Sequence, residues 1–113
     1  MAQIFKRLGA IAPGANTQTN VYVVPASNSA VLSTISICNQ TAENSSFSLI
    51  LQDSSEFESP ANAHTFIVRG ATVPAADTIV LTMGLTANAG SILSCNANKE
   101  NVSFGAFGSE ITV

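Results

Sequence analysis

Few side chains in this sequence could perform acid–base or nucleophilic chemistry. His64 is the only histidine, so any Ser–His or Cys–His arrangement would have to use it. No serine stands in a Gly-x-Ser-x-Gly motif, and nothing near Cys38 or Cys95 would lower a thiol pKa. The sequence therefore predicts a protein that is not an enzyme, with no catalytic residues and no cofactor.

One acidic stretch has the composition of a possible cation site. Asp53, Glu56 and Glu58 flank two serines, and calcium prefers several carboxylate and hydroxyl oxygens. The spacing matches no helix–loop–helix calcium motif, and the stretch has no glycine. We expect a solvated acidic loop at 53–63 and no metal, with calcium at these three carboxylates as the alternative.

Cysteine content and charge limit the partners. Two cysteines are too few for a disulfide scaffold or a zinc knuckle. We expect two separate buried or half-buried thiols, with a single disulfide as the alternative. The net charge of −3, with only four Lys and Arg residues, argues against nucleic acid as a partner. No apolar run approaches membrane length or a secretory signal, so we expect no membrane association and folding in a cytoplasm.

The elements that would position these residues are strands. Short runs rich in Val, Ile, Thr and Phe alternate with Pro, Gly and Asn turns, and no window keeps helical periodicity. We predict one all-β domain over 1–113, an antiparallel β-sandwich of jelly-roll or immunoglobulin-like type with about eight strands. The predicted strands are 3–11, 19–24, 31–39, 46–52, 65–69 with 72–73, 78–83, 91–96 and 102–113.

Alternation within these strands predicts the core. Ile35, Ile37, Leu49, Leu51, Ile79 and Leu81 occupy the apolar faces of the best-alternating strands. Val31 and Ser33 would share the face of Ile35, and turns are predicted at 27–29 and 84–90. Core packing is also expected for the aromatic residues within strands, Tyr22, Phe47, Phe66, Phe104 and Phe107.

The surface composition favours assembly. Charged residues make up 10% of the chain, against about 25% in ordinary domains, and Ser, Thr and Asn take their place. Faces such as that of Thr34 and Ser36 could meet solvent or a neighbouring subunit. The terminal segments 1–12 and 102–113 are rich in strand-forming residues, whose backbone groups would need partners. We therefore expect a homo-oligomer, a trimer or other closed ring, that makes contacts through both termini.

Several phrases of the sequence resemble one protein family. They are MAQIFKRLGA at 1–10, NVYVVPA at 20–26, VLSTISICN at 31–39, DTIVLTMGL at 77–85 and FGAFGSEI at 104–111. Together they resemble small virion structural proteins of tailed bacteriophages, notably those of marine and cyanobacterial phages. The resemblance implies a non-enzymatic subunit of a phage particle, assembled in the host cytoplasm beside major capsid or tail proteins.

Three functions follow from these observations. The first choice is a capsid decoration, or cement, subunit, because the chain is small, poorly charged and without a stalk. The alternative is a tail, neck or baseplate accessory protein that takes part in host adsorption. A carbohydrate-binding module is more remote, because the chain has no Trp and one Tyr for stacking on sugars.

Overall fold

A computed structural model describes residues 2–53 and 65–112 as two antiparallel sheets packed face to face. The strands are β1 (Ala2–Ile11), β2 (Thr19–Val23), β3 (Asn28–Asn39), β4 (Ser45–Gln52), β5 (Phe66–Val73), β6 (Thr78–Ala87), β7 (Ile92–Ala97) and β8 (Val102–Thr112). The prediction of an all-β sandwich of about eight strands is confirmed. Within the described ranges there is no α-helix, and hence no helix able to span a membrane.

The strand order distinguishes between the two predicted sandwich types. One sheet, sheet A, has the order β1-β8-β3-β6, and the other, sheet B, has the order β2-β7-β4-β5. The pairs β1/β8, β2/β7, β3/β6 and β4/β5 are nested like one long hairpin rolled into a barrel-like sandwich. This is the jelly-roll arrangement, whereas an immunoglobulin-like sandwich divides its strands differently.

The core lies between the two sheets and is closed by inward-facing side chains of both. Ile35, Ile37 and Leu49 are fully buried, as predicted. Leu51, Ile79 and Leu81 are only half-buried and pack against the rim of this core. β6, which carries Ile79 and Leu81, is an edge strand of sheet A, so neighbours cover these side chains from fewer directions.

The inward face of β3 differs from the prediction at its first half. Leu32 is buried, whereas Val31 is half-buried and Ser33 exposed. The ladders of β3 with β6 and β8 both shift register between Leu32 and Thr34. An extra residue at Ser33 interrupts the period-two alternation. Even-numbered side chains such as Leu32 therefore face inward before it, and odd-numbered ones such as Ile35 face inward after it.

Two predicted turns are shorter than expected. β3 begins at Asn28, so the turn before it ends there, with Ser27 at φ 67°. β6 continues through Gly84 to Ala87, and the chain reverses only at Asn88, Ala89 and Gly90, with Gly90 at φ 83°. Gly84 has ordinary extended backbone, so it does not end the strand.

The two parts predicted for β5 form one strand, with Gly70 inside it at φ 69°.

A buried asparagine, Asn39, connects the loops at one end of the sandwich through side-chain hydrogen bonds. Asn39 Nδ2 donates hydrogen bonds to the carbonyl oxygens of Glu43, Val73 and Pro74 at 2.8–3.2 Å. Its Oδ1 accepts from the backbone N–H and the hydroxyl of Thr41. Because both ends of the amide are satisfied by the fold, Asn39 is a structural residue.

Candidate interaction surface

The outward side of sheet A carries almost no charge. Ile35, Ile37, Phe104 and Ala106 are buried inward, so the positions between them face outward. The register aligns these outward positions in rows across the sheet: Phe5, Ser109, Val31 and Thr86; Arg7, Phe107, Thr34 and Thr82; Ala10, Gly105, Ser36 and Val80; Ser103, Cys38 and Thr78. We call this set the outer face of sheet A. Arg7 is the one charged residue in it.

An aromatic ring lies across the middle of this face. Phe107 is 38% exposed, so the prediction that it packs in the core is wrong. A Cβ placed on Gly105 would lie 3.2 Å from the Phe107 ring and 2.9 Å from Ser36 Oγ, which shows that the ring leans over the glycine. Because Gly105 has no side chain, the Phe107 ring can pack flat against the outside of the sheet there.

The other predicted core aromatics behave differently from Phe107. Tyr22, Phe47 and Phe104 are buried, as predicted, and the rings of Phe47 and Phe104 pack with centroids 6.3 Å apart. Phe66 is only half-buried, with the Arg69 guanidinium 4.6 Å from its ring centroid. Phe66 begins β5, an edge strand of sheet B, which explains its partial exposure.

The terminal strand β1 presents two exposed large apolar side chains. Phe5 is 78% exposed on the outer face, and Ile4, on the opposite side of the strand, is 54% exposed. Single exposed apolar residues are ordinary, but several of them on a face with little charge, as Phe5, Phe107 and Val80 are on the outer face, are typical of interaction surfaces. The pattern of β1 therefore favours contact with another protein.

An ionic network centred on a buried carboxylate connects β1 to the rest of the sandwich, although its Lys6 side chain is 47% accessible. Glu110, which lies opposite Ile4, faces the sandwich interior and is 8% exposed. Its Oε1 lies 2.8 Å from Lys6 Nζ of β1, and its Oε2 accepts a hydrogen bond from the Tyr22 hydroxyl of β2 at 2.5 Å. The carboxylate thus joins three strands from both sheets.

This network shifts the protonation equilibria of two of its members. Hydrogen bonding to Lys6 and then to Tyr22 lowers the pKa of Glu110, more than its burial raises it. Burial, reinforced by the Glu110 carboxylate, raises the pKa of Tyr22. Both shifts favour an ionised Glu110 that accepts a hydrogen bond from a neutral phenol.

The two terminal segments differ in how they could make contacts. β8 lies between β1 and β3 and is paired on both sides, so its backbone groups need no outside partner. The expectation that both ends leave unpaired backbone is therefore wrong for β8. β1 is an edge strand of sheet A, so contacts through the amino-terminal segment remain a prediction.

The residues predicted for chemistry are only partly within the described ranges. Glu56, Glu58 and His64 lie outside them, while Asp53 is half-buried at the end of the first range. Among residues 2–53 and 65–112, no group of three His, Cys, Asp or Glu side chains could hold a metal ion, and no pocket is found.

The cysteines do not pair. Cys38 is half-buried on the outer face of sheet A, and Cys95 is fully buried in the core. The expectation of two separate thiols is confirmed. Burial raises the pKa of Cys95 to about 12, so its thiol stays protonated and unreactive in the folded protein.

Comparison of the chain with protein-family models and with curated protein sequences finds no match.

Proposed function

We propose that this protein is a non-enzymatic structural subunit of a tailed-phage particle, with capsid decoration as its place of action. The observation that carries the proposal is the outer face of sheet A, where Phe5 and Phe107 are exposed on a surface whose one charged residue is Arg7. Covering such a face with a neighbouring protein removes apolar area from water without desolvating many charges.

Two further considerations support a role in the particle. The sequence resembles small phage virion proteins, which implies many copies in contact with one another and with capsid proteins. The jelly roll occurs in viral capsid proteins, but also in lectins and cupins, so the fold agrees with the proposal without selecting it.

Copy number in purified particles is the first test. Quantitative mass spectrometry against the major capsid protein should find hundreds of copies of a shell-decorating subunit. A few to dozens of copies would instead indicate the tail, neck or baseplate and would overturn decoration. Absence of the chain from purified particles would overturn the virion proposal altogether.

A point substitution tests the proposed surface. Phe5→Ser should reduce incorporation into particles at least severalfold, because it removes the most exposed apolar side chain of the face. Val23→Ser is the matched control, since Val23 is also apolar and 47% exposed but lies on sheet B. Deletion of 1–10 is a poorer test, because it would also remove Lys6 from Glu110 and uncover β8. Equal incorporation of both variants would contradict the assignment of the face.

A further inference from the structure

One edge of sheet A lacks the charges and the short length that usually protect an exposed strand. β6 pairs with β3 on one side and is the last strand of the sheet. Its sequence, TIVLTMGLTA, contains no charged residue and no proline. Within the described part of the chain no strand pairs with its other side, so a row of backbone N–H and C=O groups is open to a partner.

The other three sheet edges each carry a protective feature. β1 bears Lys6 and Arg7 and shifts register between Arg7 and Gly9. β2 has only five residues and a register shift of its own. β5 contains Arg69, a glycine at φ 69° and two register shifts. Charges, short length and bulges are the means by which proteins discourage edge pairing. β6 shares only the bulge, a register shift opposite the step from Leu32 to Thr34, and its stretch 78–82 pairs regularly with β3, so this long, uncharged stretch is the exception.

We propose that β6 pairs antiparallel with β6 of a second copy of this chain, across a two-fold axis at Val80. Residues 78–82 read Thr-Ile-Val-Leu-Thr, which is nearly the same in both directions. Centred on Val80, the pairing places Val80 opposite Val80, Ile79 opposite Leu81, and Thr78 opposite Thr82. Opposite residues share a face of the sheet. Apolar side chains would therefore pair with apolar side chains, and threonine with threonine.

The exposure of these residues fits a second copy as the partner. Val80 is 59% exposed on the outer face, and Ile79 and Leu81 are half-buried at the rim of the core. Self-pairing would bury all three while placing no like charges opposite one another. Pairing with β1 of another copy would instead bring Lys6 and Arg7 against an uncharged strand and cost desolvation.

The consequence is an isologous dimer in which the two copies of sheet A form one eight-stranded sheet. The two outer faces, with their Phe5 and Phe107 side chains, would then lie on the same side of this sheet. This dimer would be one form of the self-assembly included in the proposed function, and its biological role rests on that proposal. Its test uses purified protein, so a failure here is separate from a failure of particle incorporation.

Sedimentation of the purified full chain at about 10–100 μM tests the dimer. The unmodified protein should dimerise, and Val80→Lys should weaken dimerisation at least tenfold, because it sets two ammonium groups opposite each other. Thr72→Lys is the matched control, an exposed position on the β5 edge, and should leave dimerisation unchanged. A monomer throughout this range, or equal dimerisation of both variants, would overturn the proposal.

Disulfide trapping tests the register. Directly opposite residues in an antiparallel pair have Cα atoms about 4.5–5.5 Å apart, within the range that a disulfide bridges. In a Cys38→Ser background, in which Cys95 stays buried, Val80→Cys should give a covalent dimer on mild oxidation. Thr86→Cys, on the same face of β6 but away from the proposed axis, should not. Equal trapping of both variants, or of neither, would overturn the Val80-centred pairing.

Discussion

The hydroxyl of Tyr22 on β2 donates a hydrogen bond to Glu110 Oε2 on β8, and this bond joins the two sheets of the sandwich. The same carboxylate binds Lys6 of β1 through its other oxygen. A strand that carries exposed Ile4 and Phe5 is thus held in place by a carboxylate that faces the interior. The geometry of the proposed contact surface depends on this internal connection.

Tyr22→Phe should destabilise the fold by about 1.5–3 kcal/mol, the usual range for a hydrogen bond to a charged group. The substitution keeps the buried ring and removes only the hydroxyl. Urea unfolding at pH 7 measures the change. A loss below about 0.5 kcal/mol would mean that water replaces the phenol at Glu110 at little cost.

Stability should fall on acidification because of Glu110. Its pKa is lowered in the folded protein, first by Lys6 and then by Tyr22, so the unfolded chain binds the proton more readily. The stabilisation is therefore complete above the unfolded pKa, near 4.5, and is lost as the pH falls through the folded value. Unfolding free energies from pH 7 to pH 3 should decline less steeply for Glu110→Gln than for the unmodified protein.

Glu43→Gln is the control for this pH series. Glu43 forms an exposed pair with Lys99 at 3.4 Å, with 75% of its side chain accessible, and such pairs contribute little. The variant should keep the slope of the unmodified protein. A slope that is unchanged in Glu110→Gln would contradict the role of the buried carboxylate.

Two glycines of sheet A should respond oppositely to alanine. A Cβ on Gly108 would overlap the backbone carbonyl of Val31, whereas one on Gly84 meets nothing within 4 Å. Gly108→Ala should cost about 1–3 kcal/mol or more, because backbone must move. Gly84→Ala should be neutral or stabilise by up to about 1 kcal/mol by restricting the unfolded chain. Thermal melting of both variants measures the contrast, and similar melting temperatures would contradict it.

The stability lost on truncating an apolar side chain should depend on how deeply that side chain is buried, not on its place in the alternating pattern. Ile37 is fully buried, whereas Leu81 is half-buried on the edge strand. Ile37→Ala should cost about 2–5 kcal/mol, and Leu81→Ala clearly less when measured in dilute, monomeric protein. Denaturant unfolding of the two variants is the measurement. A larger loss for Leu81→Ala would show that β6 is covered more fully than its position at the sheet edge implies.

The sequence predicted the strands well because period-two alternation and turn residues act locally. Ile35, Ile37 and Leu49 were predictable as core residues for the same reason. Leu32 was not, because one extra residue at Ser33 reverses the alternation and no composition signal marks it. Phe107 was wrongly predicted as a core residue. Its ring packs over Gly105 on the outer face, and this placement depends on backbone geometry rather than on residue type.

The ionic network could not be predicted from one sequence. Lys6, Tyr22 and Glu110 lie in three different strands, and only the topology brings them together. The phrase FGAFGSEI contains Glu110 among apolar and small residues, and that isolated charge in a strand is the one local sign of a buried partner. The position of uncharged β6 at a sheet edge likewise depends on strand order, which alternation alone does not specify.

The nested pairing of the jelly roll also has a consequence for how the chain folds. Ala2 pairs with Thr112 in sheet A, and Thr19 with Cys95 in sheet B, so neither sheet can close until residues separated by most of the sequence meet. Such distant contacts require large loop-closure entropy and slow the search for the native state. During synthesis β1, with Ile4 and Phe5, therefore leaves the ribosome long before β8 exists to receive it.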